Sequence, residues 1–167
     1  MSLLPVGPGW PLSSDIVISR YHDIAGKLLT EWGLDGFAAH VKKVQDFYRS
    51  RRDSTAASAA KHLTGLANWT PPVAGMFFWF DLSPSGVTDS APLILERCRD
   101  KKVLLAPGSA FSVEGEGVPS TFARASFSVS SPDVIDEAFR RLAEVLVEFQ
   151  AQQQTEEAAE ADLATNR

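Results

Sequence analysis

Residues 34–70 contain no proline, and Leu34, Phe37, Val41, Val44, Phe47 and Tyr48 follow one another there at helical spacing. Steps of three and four residues line one face of an α-helix. Alanines at 56, 57, 59 and 60 extend the helix to about Leu63, and Gly65 ends it. A helix of about 30 residues is long for a globular domain and suits a rod joining two lobes. Ahead of it, residues 16–33 read as a shorter helix stopped at Gly33. Residues 1–15, with three prolines and two glycines, read as irregular.

Beyond the helix the pattern changes to short pieces separated by turn residues. "LANWTPP" is strand-like and closed by Pro71 and Pro72; Gly75 opens the strand "MFFWFDL"; Pro84-Ser85-Gly86 is a turn. Residues 89–102 read as a helix with Asp89 or Ser90 as N-cap and basic residues at its end. "VLLA" is a short strand stopped at Pro107-Gly108. "STFARASFS" alternates, placing Phe122, Arg124 and Ser126 on one face and Ala123, Ala125 and Phe127 on the other. Pro132 begins a last helix whose apolar stripe is Ile135, Phe139, Leu142, Val145, Leu146 and Phe149. Residues 151–167 form a polar tail, helical at first and then frayed. The order specifies an α+β fold of two layers: a long N-terminal helix leading into a small mixed sheet with helices packed on it.

The composition narrows the function. With 167 residues the chain can build one domain with a real core. A net charge of −5 with scattered basic residues argues against nucleic acid and against a polybasic membrane anchor. The basic runs at 42–43, 49–52 and 100–102 read as solvated faces or helix ends. Cys98 is the single cysteine, which excludes an internal disulfide and a thiolate metal cluster. His22, His40 and His62 show no metal spacing; His40 and His62 are expected at the helix surface. No apolar run reaches the roughly 18 residues of a membrane span, and the start of the chain lacks the pattern of a signal peptide. A cytoplasmic location fits these features, with a mitochondrial one also open.

No nucleophile elbow, P-loop, zinc pattern or dinucleotide fingerprint is present, and "GEG" at 115–117 reads as a surface turn. The unusual feature is Arg124, a cation inside an apolar strand. A buried charge needs a partner. Either an internal acid such as Asp81 pairs with it or its head reaches water, or it awaits a carboxylate or phosphate, for which its planar fork is suited.

Four stretches taken in order, "LLTEWGLDGFAAHVKKVQDFYRSRRD", "AGMFFWFDL", "VLLAPGSAF" and "FARASFSVSSPDVIDEAFRRLAEVL", resemble the C-terminal part of fold-type I, pyridoxal-phosphate-dependent aminotransferases. The nearest branch is that of the kynurenine/2-aminoadipate aminotransferases, and the resemblance covers roughly residues 27–149. It divides the chain into a divergent, flexible lead-in at 1–26, a small domain at 27–150 and the tail at 151–167. It implies that Arg124 binds the α-carboxylate of an amino-acid substrate. It further implies that Phe77 and Phe111, with Ser109 as a weaker candidate, line the side-chain pocket; the residues alone allow both phenylalanines to be plain core. In such enzymes the cofactor lysine, the acidic partner of the pyridinium and the main phosphate cup lie upstream, in a large domain. None of Lys27, Lys42, Lys43, Lys61, Lys101 and Lys102 has the context of that lysine.

The resemblance therefore implies transamination from an aromatic, kynurenine or 2-aminoadipate type of amino acid to a 2-oxo acid, with pyridoxal phosphate in the complete enzyme. The chain alone is expected to be inactive and to hold no cofactor specifically. Its expected partners are the substrate, a large domain and, in the complete enzyme, a second subunit. Two other readings stay open: a non-catalytic module binding a protein or a carboxylate, and the C-terminal part of an aminotransferase-like transcription regulator.

Overall fold

The computed structural model describes residues 14–113 and 117–165. Two compact units emerge, Met1–Asp46 and Phe47–Arg167. Helix α1, Ser14–Leu63, begins in the first and ends in the second. Its path breaks at Gly33, whose φ of 63° and ψ of −178° are not helical. Such a φ strains any residue with a Cβ, so glycine marks the break. The expected stop at Gly33 is thus present, and a second run follows at once. The helix read over 16–33 is present and starts at Ser14; residues 1–13 lie outside the described residues. In the first unit the apolar side chains Ile24, Leu28, Leu29, Trp32, Leu34, Phe37 and Val44 stay exposed.

The second unit is built on a four-stranded sheet. Its strands are β1 (Asn68–Trp69), β2 (Phe77–Asp81), β3 (Ala106–Pro107) and β4 (Phe122–Ser126), in the spatial order β1-β2-β4-β3. All three pairings are antiparallel, which corrects the expected mixed sheet. The reason is that β2 and β3, which run in the same direction, lie on either side of β4 and so never pair with each other. The "VLLA" strand is also displaced: only Ala106 and Pro107 pair with β4, while Val103, Leu104 and Leu105 stay outside the ladder. Pro107 has no N–H to donate, and an edge strand is where a sheet accommodates it.

Helix α2 starts at Ser90–Pro92, capped by Asp89, whose carboxylate accepts from the Ala91 N–H at 3.1 Å. It continues as a π-turn over Leu93–Cys98. Helix α3 runs Pro132–Thr165, so the tail is helical through Thr165 rather than frayed. The expected turn at 115–117 lies outside the described residues except for Gly117. No helix among the described residues is long and apolar enough to cross a membrane.

One face of the sheet makes the core. Phe78 and Phe80 of β2, Ala123 and Ala125 of β4, and Phe127 are buried with Ala59 and Leu63 of α1. Ile135, Phe139, Leu142, Val145 and Leu146 of α3 complete it, as the stripe in the sequence requires. Phe80 meets Phe139 edge-on at 5.3 Å and Phe127 meets Phe78 edge-on at 5.6 Å, the preferred geometry of ring quadrupoles. His62 is not on the open surface as expected: it is mostly covered and bonds Asp136 on α3 at 3.0 Å.

Candidate functional site

The other face of the sheet stays partly exposed. Side chains alternate along a strand, so Phe77, Trp79, Phe122, Arg124 and Ser126 all point away from the core. In the ladder Trp79 stands opposite Arg124 and Phe77 opposite Ser126. Phe77 and Trp79 are each 40% exposed and Phe111 is 42% exposed. Phe77 and Phe111 therefore lie outside the buried core of this unit. Along β2 only Phe78 and Phe80 are buried.

Arg124 is half-buried on this open face, not sealed in the interior. Its guanidinium carbon lies 4.2 Å from the Phe77 ring centre and 4.1 Å from that of Phe111. The rings arrive from opposite sides of β4, Phe77 from β2 and Phe111 from the turn that follows β3. Each contact joins a cation to the negative face of a ring, worth about 0.5–2 kcal/mol. Among the described residues no carboxylate lies within ion-pair distance of Arg124. Asp81 is engaged elsewhere: its oxygens accept from the Ser83 N–H at 3.0 Å and the Ser83 hydroxyl at 2.8 Å. Burial works to raise the Asp81 carboxyl, but bonds from Ser83, Thr121 and Asn68 outweigh it and hold the group below the ordinary range. The internal pair weighed from the sequence is therefore not made. Among the described residues nothing accepts from the Arg124 N–H fork, and a planar fork of this kind matches a two-oxygen anion.

The turn that carries Phe111 is a 3-10 segment, Gly108–Phe111. Gly108 is needed there for space. A Cβ on it would stand 2.3 Å from the Ser120 hydroxyl and 2.9 Å from both the Cβ and the carbonyl oxygen of Phe122. The turn can lie this close to β4 only without a side chain, and that approach brings Phe111 over Arg124. Ser109, in the same turn, is half-buried and takes no part in the ring–guanidinium contacts. From the other direction Ser90 ties α2 to β4, its hydroxyl donating to the Phe122 carbonyl at 2.6 Å.

Two residues of this face were not singled out in the sequence. Trp79 meets Phe111 edge-on, with ring centres 5.2 Å apart and planes at 82°. Phe122 stands beside Arg124 on the same strand face, 46% exposed. Parity with Phe77 and with Arg124 was the available signal. Other chemistry is sparse: no group of His, Cys, Asp and Glu among the described residues could hold a metal. Cys98 is buried, and burial pushes its thiol up to about 11, so it is an inert core residue.

Comparison with known proteins gives this arrangement a family. The chain is 45% identical over 122 residues to the mouse mitochondrial kynurenine/α-aminoadipate aminotransferase, a match that covers 73% of this chain and 28% of the relative. It carries the C-terminal small domain of a fold-type I aminotransferase. Among solved structures, this small domain superposes on a Pyrococcus horikoshii kynurenine aminotransferase in complex with PMP and kynurenine. That match has a TM-score of 0.62 and 31% identity, covering 80% of this chain and 35% of the other. The α-aminoadipate aminotransferase of Thermus thermophilus, complexed with N-(5'-phosphopyridoxyl)-L-leucine, matches with a TM-score of 0.64 and 26% identity, over 75% of this chain and 30% of the other. The chain thus spans under a third of the curated relative's length. No protein-family profile matches it.

Proposed function

We propose that this chain is the substrate-orienting part of an aminotransferase that moves an amino group from an aromatic, kynurenine or 2-aminoadipate type of amino acid to a 2-oxo acid. The observation that carries the reading is Arg124: a guanidinium flanked by Phe77 and Phe111, with no acid of the described residues beside it. In this reading its fork takes the two oxygens of the substrate α-carboxylate, and the rings of Phe77 and Phe111 border the substrate side chain. Arg124 supplies position rather than bond-making. Ser109 stands at the margin of the same pocket.

The residues of this chain do not fit pyridoxal phosphate by themselves. In the unit of Arg124, Lys61 is paired with Asp136 at 2.9 Å and Lys101 with Glu148 at 3.0 Å. Lys102 occupies a left-handed turn, with φ of 60°, between α2 and β3. None belongs to the open face, so the cofactor and its lysine fall to the remaining part of the enzyme. The open sheet face and the exposed stripe of the first unit would be covered there, in a dimer of complete subunits. The isolated chain, in this reading, is inactive.

The test joins this segment to the upstream part of the mouse relative and measures amino-acid turnover. Arg124→Ala is expected to remove about 2–5 kcal/mol of transition-state binding, roughly 30- to several-thousand-fold in kcat/KM. Cofactor absorbance should stay unchanged. Arg124→Lys should restore only part, because a point charge cannot make a two-pronged contact. Full activity in Arg124→Ala would refute the assignment. For the isolated chain, titration with pyridoxal phosphate should give no stoichiometric imine band; a band that survives dialysis and vanishes on changing one lysine would overturn that part.

A further inference from the structure

We infer that Trp79 is a positioning residue for carboxylate binding, acting on Arg124 through Phe111; the inference rests on the carboxylate role of Arg124 proposed above. Three contacts carry it. Trp79 stands directly across the ladder from Arg124. Its ring supports the Phe111 ring edge-on at 5.2 Å. The Phe111 ring in turn lies 4.1 Å from the Arg124 guanidinium. Phe77 sits on a strand whose ladder fixes it. Phe111 sits on a short turn after a two-residue edge strand, and it is 42% exposed. One side of the clamp is therefore rigid by pairing, while the other depends on a side chain to hold it. Trp79 provides that hold. It is a wide, flat side chain with two rotatable bonds, so it fixes its neighbour at little loss of rotamer freedom.

Without Trp79 the Phe111 ring gains room to swing off the arginine. The guanidinium then spends part of its time out of register, and the ordering must be done when the anion arrives. This weakens ground state and transition state alike, so it raises KM with kcat at saturation unchanged. An aromatic pair of this geometry corresponds to about a two- to tenfold change in affinity.

The experiment uses the complete chimeric enzyme in its cofactor-loaded form. Calorimetry measures the binding of two carboxylates that carry no amino group and cannot be transaminated, 3-phenylpropionate and hexanoate. Trp79→Ala should weaken both by about two- to tenfold, and Phe111→Ala should do the same. The double variant should be no weaker than Phe111→Ala alone, because the two residues act in series. Trp79→Phe should recover most of the affinity, which a general loss of packing would not allow. Kinetics of the same variants should show the change in KM.

A Trp79→Ala enzyme that binds both carboxylates normally, while Arg124→Ala does not, would overturn the inference and leave the arginine assignment standing. Weakening confined to 3-phenylpropionate would also overturn it, by showing that Trp79 merely lines the side-chain pocket. Additive losses in the double variant would do so too. Undiminished binding in Arg124→Ala would instead remove the underlying reading. If Trp79→Ala fails to fold, Trp79→Leu, which keeps bulk but loses the ring edge, takes its place with the same expected weakening.

Discussion

The two faces of one small sheet contain nearly the same kind of residue and do opposite things. The covered face has Phe78, Phe80 and Phe127 packed under α1 and α3. The open face has Phe77, Trp79, Phe111 and Phe122, each about 40% exposed or more, gathered around a cation. Aromatic side chains do not declare their use by type. On the covered side they exclude water and fill volume. On the open side two of them, Phe77 and Phe111, flank the Arg124 guanidinium, which has no acid beside it among the described residues. What separates the two roles is a single step of strand parity and the packing of α1 and α3 on one side.

Variants can break or sharpen that contrast. The largest effect on stability should come from Phe80→Ala, which empties fully buried volume and costs about 3–5 kcal/mol. Phe77→Ala, one parity away, should cost about 1 kcal/mol or less. Urea unfolding of the complete enzyme's small-domain transition compares them, and equal losses would erase the distinction between the faces. Gly108→Ala comes next. Its added methyl meets Ser120 and Phe122, and overpacking of this kind costs about 1–3 kcal/mol. It should also raise KM by moving Phe111; a variant as stable and as tight-binding as the parent would show that the close approach of this turn is dispensable.

The smallest effect is one of pH and belongs to the helix-covered side. Asp136 is held at about 2, below an ordinary 3.8, by hydrogen bonds from Lys61 and then His62. Glu137 is held at about 2, below 4.5, by hydrogen bonds from Arg140 and then Arg141. Depressed carboxyls favour the fold when ionised, so their contribution is complete above about pH 4.5 and is lost as the pH falls toward about 2. These pairs are solvent-exposed and screened, so the slope should be shallow. Asp136→Asn should flatten it further in acid unfolding curves. An unchanged slope would mean that the α1–α3 contact does not depend on that charge.

Much of the fold was legible because it is local. The stripe Ile135–Leu146, the N-cap at Asp89, the stop at Gly33 and the parity of "FARASF" each depend on spacing or on one residue's conformational limits. The elements that did not follow the local pattern are those set by partners far along the chain. "VLLA" alternates too weakly to predict where it meets β4, and its ladder shrank to Ala106–Pro107. His62 looks like a surface residue until α3 brings Asp136 to it.

The sequence by itself determined that a cation sits on an alternating strand, that a glycine turn ending in phenylalanine precedes it, and that helices with apolar stripes flank both. Only the tertiary structure decided which face those helices cover. Burial is a property of what packs above a strand, and parity alone leaves the two faces equivalent. Packing α1 and α3 against Phe78, Phe80, Ala123 and Ala125 committed the other face to the open side. There Arg124 met two rings in place of an acid, because Asp81 was already bonded to Ser83 and Gly108 let Phe111 come close.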